Sequence, residues 1–198
     1  MDVLGVSASA WGLVALFLLV LFAAAWPLGA WLARLGTGEL PAWALRLESP
    51  LWRLAGPAAS RPMGWRGYAL AMLAFNAVGF VVLYALQLLQ GALPLNPAGM
   101  GAVSHDSALN TAISFVSNTN WQGYGGESTM SYLTQMMGLA YHNFASAAVG
   151  ISLAIAFIRG IARKEKDTLG NFWVDFTRTC LWVLLPFCLI GALVLVSQ

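Results

Sequence analysis

The stretch D-S-A-L-N-T-A-I-S-F-V-S-N-T-N-W-Q-G-Y-G-G-E, running from Asp106 to Glu127, decides the fold. Its first half, Ser107 to Val116, is short, apolar and helical in pattern, with Asp106 placed to cap it. A helix of that length reaches about 15 Å, half of a hydrocarbon core about 30 Å thick. Four consecutive residues with side-chain oxygens follow, Ser117-Asn118-Thr119-Asn120. Next comes Gly123-Tyr124-Gly125-Gly126, whose glycines free the backbone to turn. A half-length helix leading into an oxygen-rich segment is the layout of a re-entrant pore loop. Irregular backbone at membrane depth is tolerated only where it is buried in protein or lines a water-filled path.

The rest of the chain supplies a membrane around that stretch. It is 59% hydrophobic and 9% charged, with a mean hydropathy of +0.72; a soluble domain carries about 25% charged residues. Four apolar segments are long enough to span, at about 11–33, 68–90, 132–158 and 172–197. The expectation is an all-α integral membrane protein with four transmembrane helices plus one re-entrant pore loop. Arg34, Arg46, Arg53, Arg61 and Arg66 lie between the first two spans, and Arg159, Arg163, Lys164 and Lys166 between the last two. The positive-inside rule makes both loops cytoplasmic, so the N-terminus and residues 91–131 face outward. Asp2 and the absence of a basic residue before the first span argue for a retained helix rather than a signal peptide. Within the first cytoplasmic loop, Ser49-Pro50 reads as the start of a short interfacial helix. Pro27 and Pro186 are expected to kink their spans, and Asp175 to pair with Arg178 at i, i+3.

Net charge of +2 gives no sign of a nucleic-acid partner, and the basic residues are explained by topology. Cys180 and Cys188 sit eight apart on one helix, too far for a disulfide, and read as packing residues. No H-E-x-x-H, G-x-S-x-G or P-loop occurs, so catalysis by this chain is not expected. What the loop offers is oxygen. Carbonyls of Ser117, Asn118, Thr119 and Asn120 can replace part of an ion's hydration shell. No carboxylate stands among them, which suits a large, weakly hydrated cation better than a divalent one. Glu127 at the mouth raises local cation concentration. His142-Asn143 in the third span reads as packing against the loop, and His105 as solvated. Two other readings stand beside this one. Gly123-Tyr124-Gly125 can be aligned with the G-Y-G of a potassium channel subunit that oligomerises, and the chain can be read as a non-transporting membrane scaffold.

The run Asn110-Thr111-Ala112-Ile113-Ser114-Phe115-Val116-Ser117-Asn118-Thr119-Asn120-Trp121-Gln122 is the most specific feature. With Tyr124 and Gly126-Glu127-Ser128-Thr129, it closely resembles the first pore region of the potassium-transporting ATPase A chain family. Leu93-Pro94-Leu95-Asn96-Pro97, Asn143-Phe144, Ser146-Ala147-Ala148 and Thr168-Leu169-Gly170-Asn171 extend the likeness along the chain. The family comprises the potassium-binding, translocating subunits of the bacterial Kdp system. The resemblance implies the helix–pore loop–helix repeat of the potassium transporter/channel-like superfamily. Ser117, Asn118, Thr119 and Asn120 then form one quarter of a selectivity filter that binds the potassium ion, supported by Gln122, Gly123, Gly126 and Glu127. It also implies no organic cofactor, an ATP-hydrolysing P-type subunit and small accessory membrane subunits as partners, and the bacterial plasma (inner) membrane as the location. On this pattern residues 1–66 are a leading helix with its cytoplasmic interfacial loop, 67–160 the first repeat, and 161–198 a linker with the first helix of the next. The chain is thus expected to be the N-terminal portion of a longer family member.

Overall fold

Among the described residues, four helices are long and apolar enough to cross a membrane: Ser9–Thr37, Trp65–Ala92, Thr134–Ala162 and Phe172–Val196. They coincide with the four spans read from the sequence. The structure is a computed structural model that describes residues 8–57, 59–162 and 167–198. Arg163, Lys164 and Lys166 of the second basic loop, and Asp2, lie outside the described residues.

Helix α1 covers Ala8–Thr37 and α2 Ala42–Ala55. Helix α3 runs over Trp65–Leu89 and tightens into a 3₁₀ turn at Gln90–Ala92. Helix α4 is His105–Val116, and α5 is a single turn at Gly126–Thr129. We call the span Thr134–Ala162 α6 and the span Phe172–Val196 α7. By backbone contacts the chain divides into two compact units, Met1–Glu48 and Ser49–Gln198. In the first, α1 holds Pro27 in its interior, and Trp31 stacks on Trp43 with ring centroids 6.4 Å apart. Leu13, Phe17 and Phe22 of α1 are exposed, as expected of a helix whose solvent is lipid. Pro50 does not open a helix: it lies inside α2, which begins earlier, where Pro41 O accepts from Ala44 N.

In the second unit α4 packs on α3 and α6. Ala108, Thr111, Ala112 and Phe115 recur at helical spacing and are all buried, so one stripe of α4 meets the core. That core contains Leu83 of α3, Val103, Met130 and Leu139 of α6. The helix starts one residue before Asp106, with Ser104 at the N-cap position, so Asp106 sits in the first turn and complements the helix dipole. On its buried side α6 carries Ala145, Ser146, Ala148, Ser152 and Ala156, small residues that let helices approach closely.

Both α6 and α7 contain a wide, π-type stretch, Thr134–Ala140 and Cys180–Leu184. The second ends two residues before Pro186. A proline lacks an N–H and crowds the carbonyl four residues back, and a wider turn relieves both problems.

At the other end of these helices the partner of Asp175 is Arg159, not Arg178 as the i, i+3 spacing suggested. Arg159 Nη1 and Nη2 reach the two carboxylate oxygens at 2.6 and 2.9 Å. Tyr68 Oη lies 3.1 Å from the same carboxylate and 2.9 Å from the carbonyl of Ser152. Arg159 Nη1 also donates to the carbonyl of Leu169 at 3.1 Å. Gly170 has φ +111°, and a Cβ there would collide with the Arg159 guanidinium. One buried ion pair therefore ties α3, α6, α7 and the turn before α7 together. Asp175 is 1% exposed, so removing its cation leaves a buried charge uncompensated. Arg159→Met is expected to cost about 3–5 kcal/mol, and the pair Arg159→Met with Asp175→Leu much less. Heat denaturation of the purified protein in detergent measures this. A single variant as stable as the parent would sink the account.

Candidate functional site

The segment after α4 is built from an accounting problem. A helix leaves its last four carbonyls without partners, and a non-helical segment leaves its own N–H groups without partners. Here each deficit fills the other. Ser117 N donates to Ile113 O at 3.0 Å, and Asn118 N to Phe115 O at 3.4 Å. Thr119 N and Asn120 N both donate to Ser114 O, at 2.9 and 3.2 Å. Trp121 N donates to Ser114 Oγ at 2.6 Å, and that hydroxyl lies 3.1 Å from Trp121 O. Five consecutive N–H groups are thus turned back onto the last turn of α4.

Backbone sign makes this possible. Asn118 and Asn120 have φ of +60° and +56°, whereas Ser117 has φ −84° and Thr119 also lies outside the positive region. Alternating left- and right-handed residues put successive N–H groups on one side of the chain and successive carbonyls on the other. Asparagine is among the few non-glycine residues that enter the left-handed region readily, which explains its two appearances. Among the described residues no donor reaches the carbonyls of Ser117, Asn118, Thr119 or Asn120. The four predicted filter residues therefore form a short run whose donors are consumed and whose acceptors are free.

Side chains hold the run from two directions. Ser117 Oγ and Thr119 Oγ1 are 3.0 Å apart, and Ser117 Oγ donates to Ser114 O at 3.2 Å. Asn120 Nδ2 donates to Asn118 Oδ1 at 3.3 Å, and Ser146 Oγ of α6 lies 3.1 Å from the same oxygen. Ser117 to Asn120 are exposed in this chain, and so is Gln122, which makes no hydrogen bond to any described residue. Gly123 fits against the Trp121 ring, where a Cβ would come within 2.9 Å of it. Gly126 opens α5, and its carbonyl accepts from Met130 N and Gln135 Nε2. Glu127 is exposed on that same turn. Tyr124 packs against the core beneath α4. Its phenol, being partly buried, is harder to ionise than usual.

One support escaped the sequence reading, Gln90, while His142, read as packing against the loop, is buried in a cleft beside it. Buried Gln90, at the end of α3, donates through Nε2 to the carbonyls of Gly101 at 2.7 Å and Thr129 at 2.8 Å. Its Oε1 accepts from Ser131 N at 3.0 Å and Thr134 Oγ1 at 3.1 Å. Gln90 thereby pins both ends of the stretch that carries α4 and α5. His142 is buried on α6, with Nδ1 2.7 Å from Gly138 O. It lines a cleft of about 220 Å³ with Phe75, Asn76, Gly79, Val116 and Ser146. Its Nε2 lies against Gly79, where a Cβ would sit 2.8 Å away. His105 is exposed, as read from the sequence, and its Nδ1 lies 2.7 Å from Tyr84 Oη.

Comparison with known proteins follows the same stretch outward. Residues 15–198 match the family model described as Potassium-transporting ATPase A subunit. A protein of Variovorax paradoxus (strain S110), named potassium-transporting ATPase potassium-binding subunit, is 60% identical over 97% of this chain and 34% of its own length. One of the same name from Paracidovorax citrulli (strain AAC00-1) is 58% identical over 97% of this chain and 32% of its own length. A third, from Chromobacterium violaceum, is 59% identical over 92% and 31%. The chain spans about a third of the length of the curated relatives it matches.

The Gln90 hub yields a prediction. In Gln90→Leu, four groups lose a hydrogen bond together, of which the buried Ser131 N is left unsatisfied at about 1–3 kcal/mol, while Thr134 Oγ1 keeps Ser131 Oγ. Amide exchange at Met130 and Ser131 is expected to rise by more than tenfold, with α7 unchanged. Unaltered protection at Ser131 would show that Gln90 does not hold this stretch.

Proposed function

We propose, on the premise that the chain belongs to the potassium-transporting ATPase A subunit family, that it carries one part of a potassium-selective path. Potassium arriving from outside sheds water at the carbonyls of Ser117, Asn118, Thr119 and Asn120. The observation that carries this reading is the free acceptor run. Its N–H groups are consumed by α4, its φ signs alternate, and no described donor reaches its carbonyls. Neutral oxygens without carboxylates favour a monovalent ion that must leave again. The helix end behind them contributes its negative dipole pole. Because the carbonyls of Ile113, Ser114 and Phe115 are already capped by the run, their contribution is a field and not a direct ligand.

Gln122, Gly123, Gly126 and Glu127 border the path in this proposal. Gln122 is exposed and open to a neighbouring wall of the path, and Glu127 attracts cations to the mouth. The chain itself hydrolyses nothing. Energy for uphill movement comes in this proposal from an ATP-hydrolysing P-type partner, with small accessory membrane subunits beside it, as the family resemblance implies; the relatives' names say only that they are subunits of an ATPase. The complex sits in the bacterial inner membrane with residues 91–131 and the N-terminus outside, on the argument of the basic loops.

Replacing Asn118 by valine tests the filter. Left-handed backbone costs an ordinary L-residue about 1–2 kcal/mol, and a β-branched one resists it most. The peptide should rotate and spoil the carbonyl line. In the full-length complex, half-activation of ATP hydrolysis by potassium is expected at roughly tenfold higher concentration. An unchanged value would place the filter elsewhere.

Orientation has a separate test. Single cysteines at Glu127 and Ser60, in a Cys180→Ala, Cys188→Ala background, should differ in intact cells. An impermeant maleimide is expected to label position 127 and spare position 60. The reverse pattern would invert the topology.

A further inference from the structure

We infer that Ser146 of α6 sets the ion preference of the path by anchoring the side chain of Asn118, an inference that rests on the filter reading above. The four residues of the run are not held by one support. Ser117 and Thr119 are linked to each other and, through Ser117 Oγ, to Ser114 of α4. Asn118 and Asn120 are linked to each other and, through Asn118 Oδ1, to Ser146 of α6. All four are tied to α4 through their N–H groups, but their side chains divide: those of the odd positions are tied to α4 and those of the even positions to α6. The even positions are also the two with positive φ. Whatever fixes the spacing of α4 and α6 therefore fixes how one set of peptides is rotated against the other.

Ser146 is suited to that role by its place. It is 4% exposed, so its hydroxyl does not exchange partners with water. Its oxygen lies 2.5 Å from His142 O and 3.1 Å from Asn118 Oδ1. A hydroxyl has one proton, and Asn118 Oδ1 takes its second donor from Asn120 Nδ2. The Asn118 amide is thus turned oxygen-first toward α6, held by Asn120 Nδ2 and by the one Ser146 proton, which it shares with His142 O. Preference for a large cation over a small one depends on carbonyls that do not close inward around the smaller ion. Cutting the tie to α6 leaves Asn118 and Asn120 held only by their backbone and by each other. The run can then contract, and sodium is discriminated against less well. Ser146 is a positioning residue; it touches no ion.

The test uses the full-length chain in its complex with partner subunits and measures activation of ATP hydrolysis by potassium, rubidium and sodium. Ser146→Ala is expected to lower the ratio of potassium to sodium preference by about fivefold, the worth of one hydrogen bond. Maximal turnover should stay within twofold, and Ser146→Thr, which keeps the hydroxyl, should restore the ratio. Asn118→Gly permits positive φ but removes the anchored side chain. Its effect should not add to that of Ser146→Ala. An equal loss for all three cations, failure of threonine to rescue, or additive effects would overturn the proposal. If Asn118→Val shifts potassium activation and Ser146→Ala shifts nothing, the filter reading stands and the anchor falls. If neither variant shifts it, both fall.

Discussion

Everything around the candidate site depends on where the N–H groups of residues 117–121 go. A chain that leaves a helix inside an apolar environment has no water to satisfy it, and each unmet group costs free energy. The segment meets the demand by folding back on the last turn of α4, where Ser114 alone serves Thr119 N and Asn120 N with its carbonyl and Trp121 N with its hydroxyl. Such a fold-back is stereochemically open only if the backbone sign alternates, and that requirement selects asparagine at positions 118 and 120. The free carbonyl run is a consequence of this geometry. Once all donors face the helix, the acceptors have nowhere to go but the other side.

The supports around the run have the same logic. Gln90 sits where α3 ends and satisfies backbone groups on both sides of the long excursion between α3 and α6. The π-type turn at Thr134–Ala140 then matters for phase. A wider turn rotates every following residue about the axis, so it decides which side chains of α6 face α4. Thr134 on its first residue meets Gln90, while His142 and Ser146 beyond it face the cleft and the run. Far from the site, Arg159 and Asp175 lock α6 to α7, while Tyr68 adds α3 to the same buried cluster.

The spans and the short helix were legible because they rest on one-dimensional signals: runs of apolar residues and their lengths. The oxygen-rich run was legible as composition, since four polar residues between a half-helix and a glycine cluster stand out. Its hydrogen bonding was not, because nothing in the letters says that Asn118 and Asn120 take positive φ. The supports were missed for a different reason. Gln90 meets Thr134 across 44 positions and Ser146 meets Asn118 across 28, and no local pattern encodes such pairs. The Asp175 partner was misread because i, i+3 spacing brings Arg178 near in sequence, whereas Arg159 reaches the carboxylate with both guanidinium nitrogens. Two-point contact in a dry site outweighs helical proximity. Ser49-Pro50 misled in the same way: a good local start signal was overridden by a helix already begun at Ala42.

Coordination number carries the argument one step past this chain. A run of four carbonyls on one strand can present oxygens to an ion from one side only. A monovalent cation gives up its hydration shell only where oxygens surround it, which is why filters are built as rings from several strands. In this chain the run is exposed rather than enclosed, and the side chains that shape it are tied inward, to α4 and α6, and not across the path. That is the form expected of one wall of a path. On the proposed reading the remaining walls come from other strands; the relatives are about three times as long as this chain. In the proposed path, what this chain contributes is a pre-shaped wall. Its backbone strain is already offset by hydrogen bonds to α4 before any ion or neighbouring wall arrives.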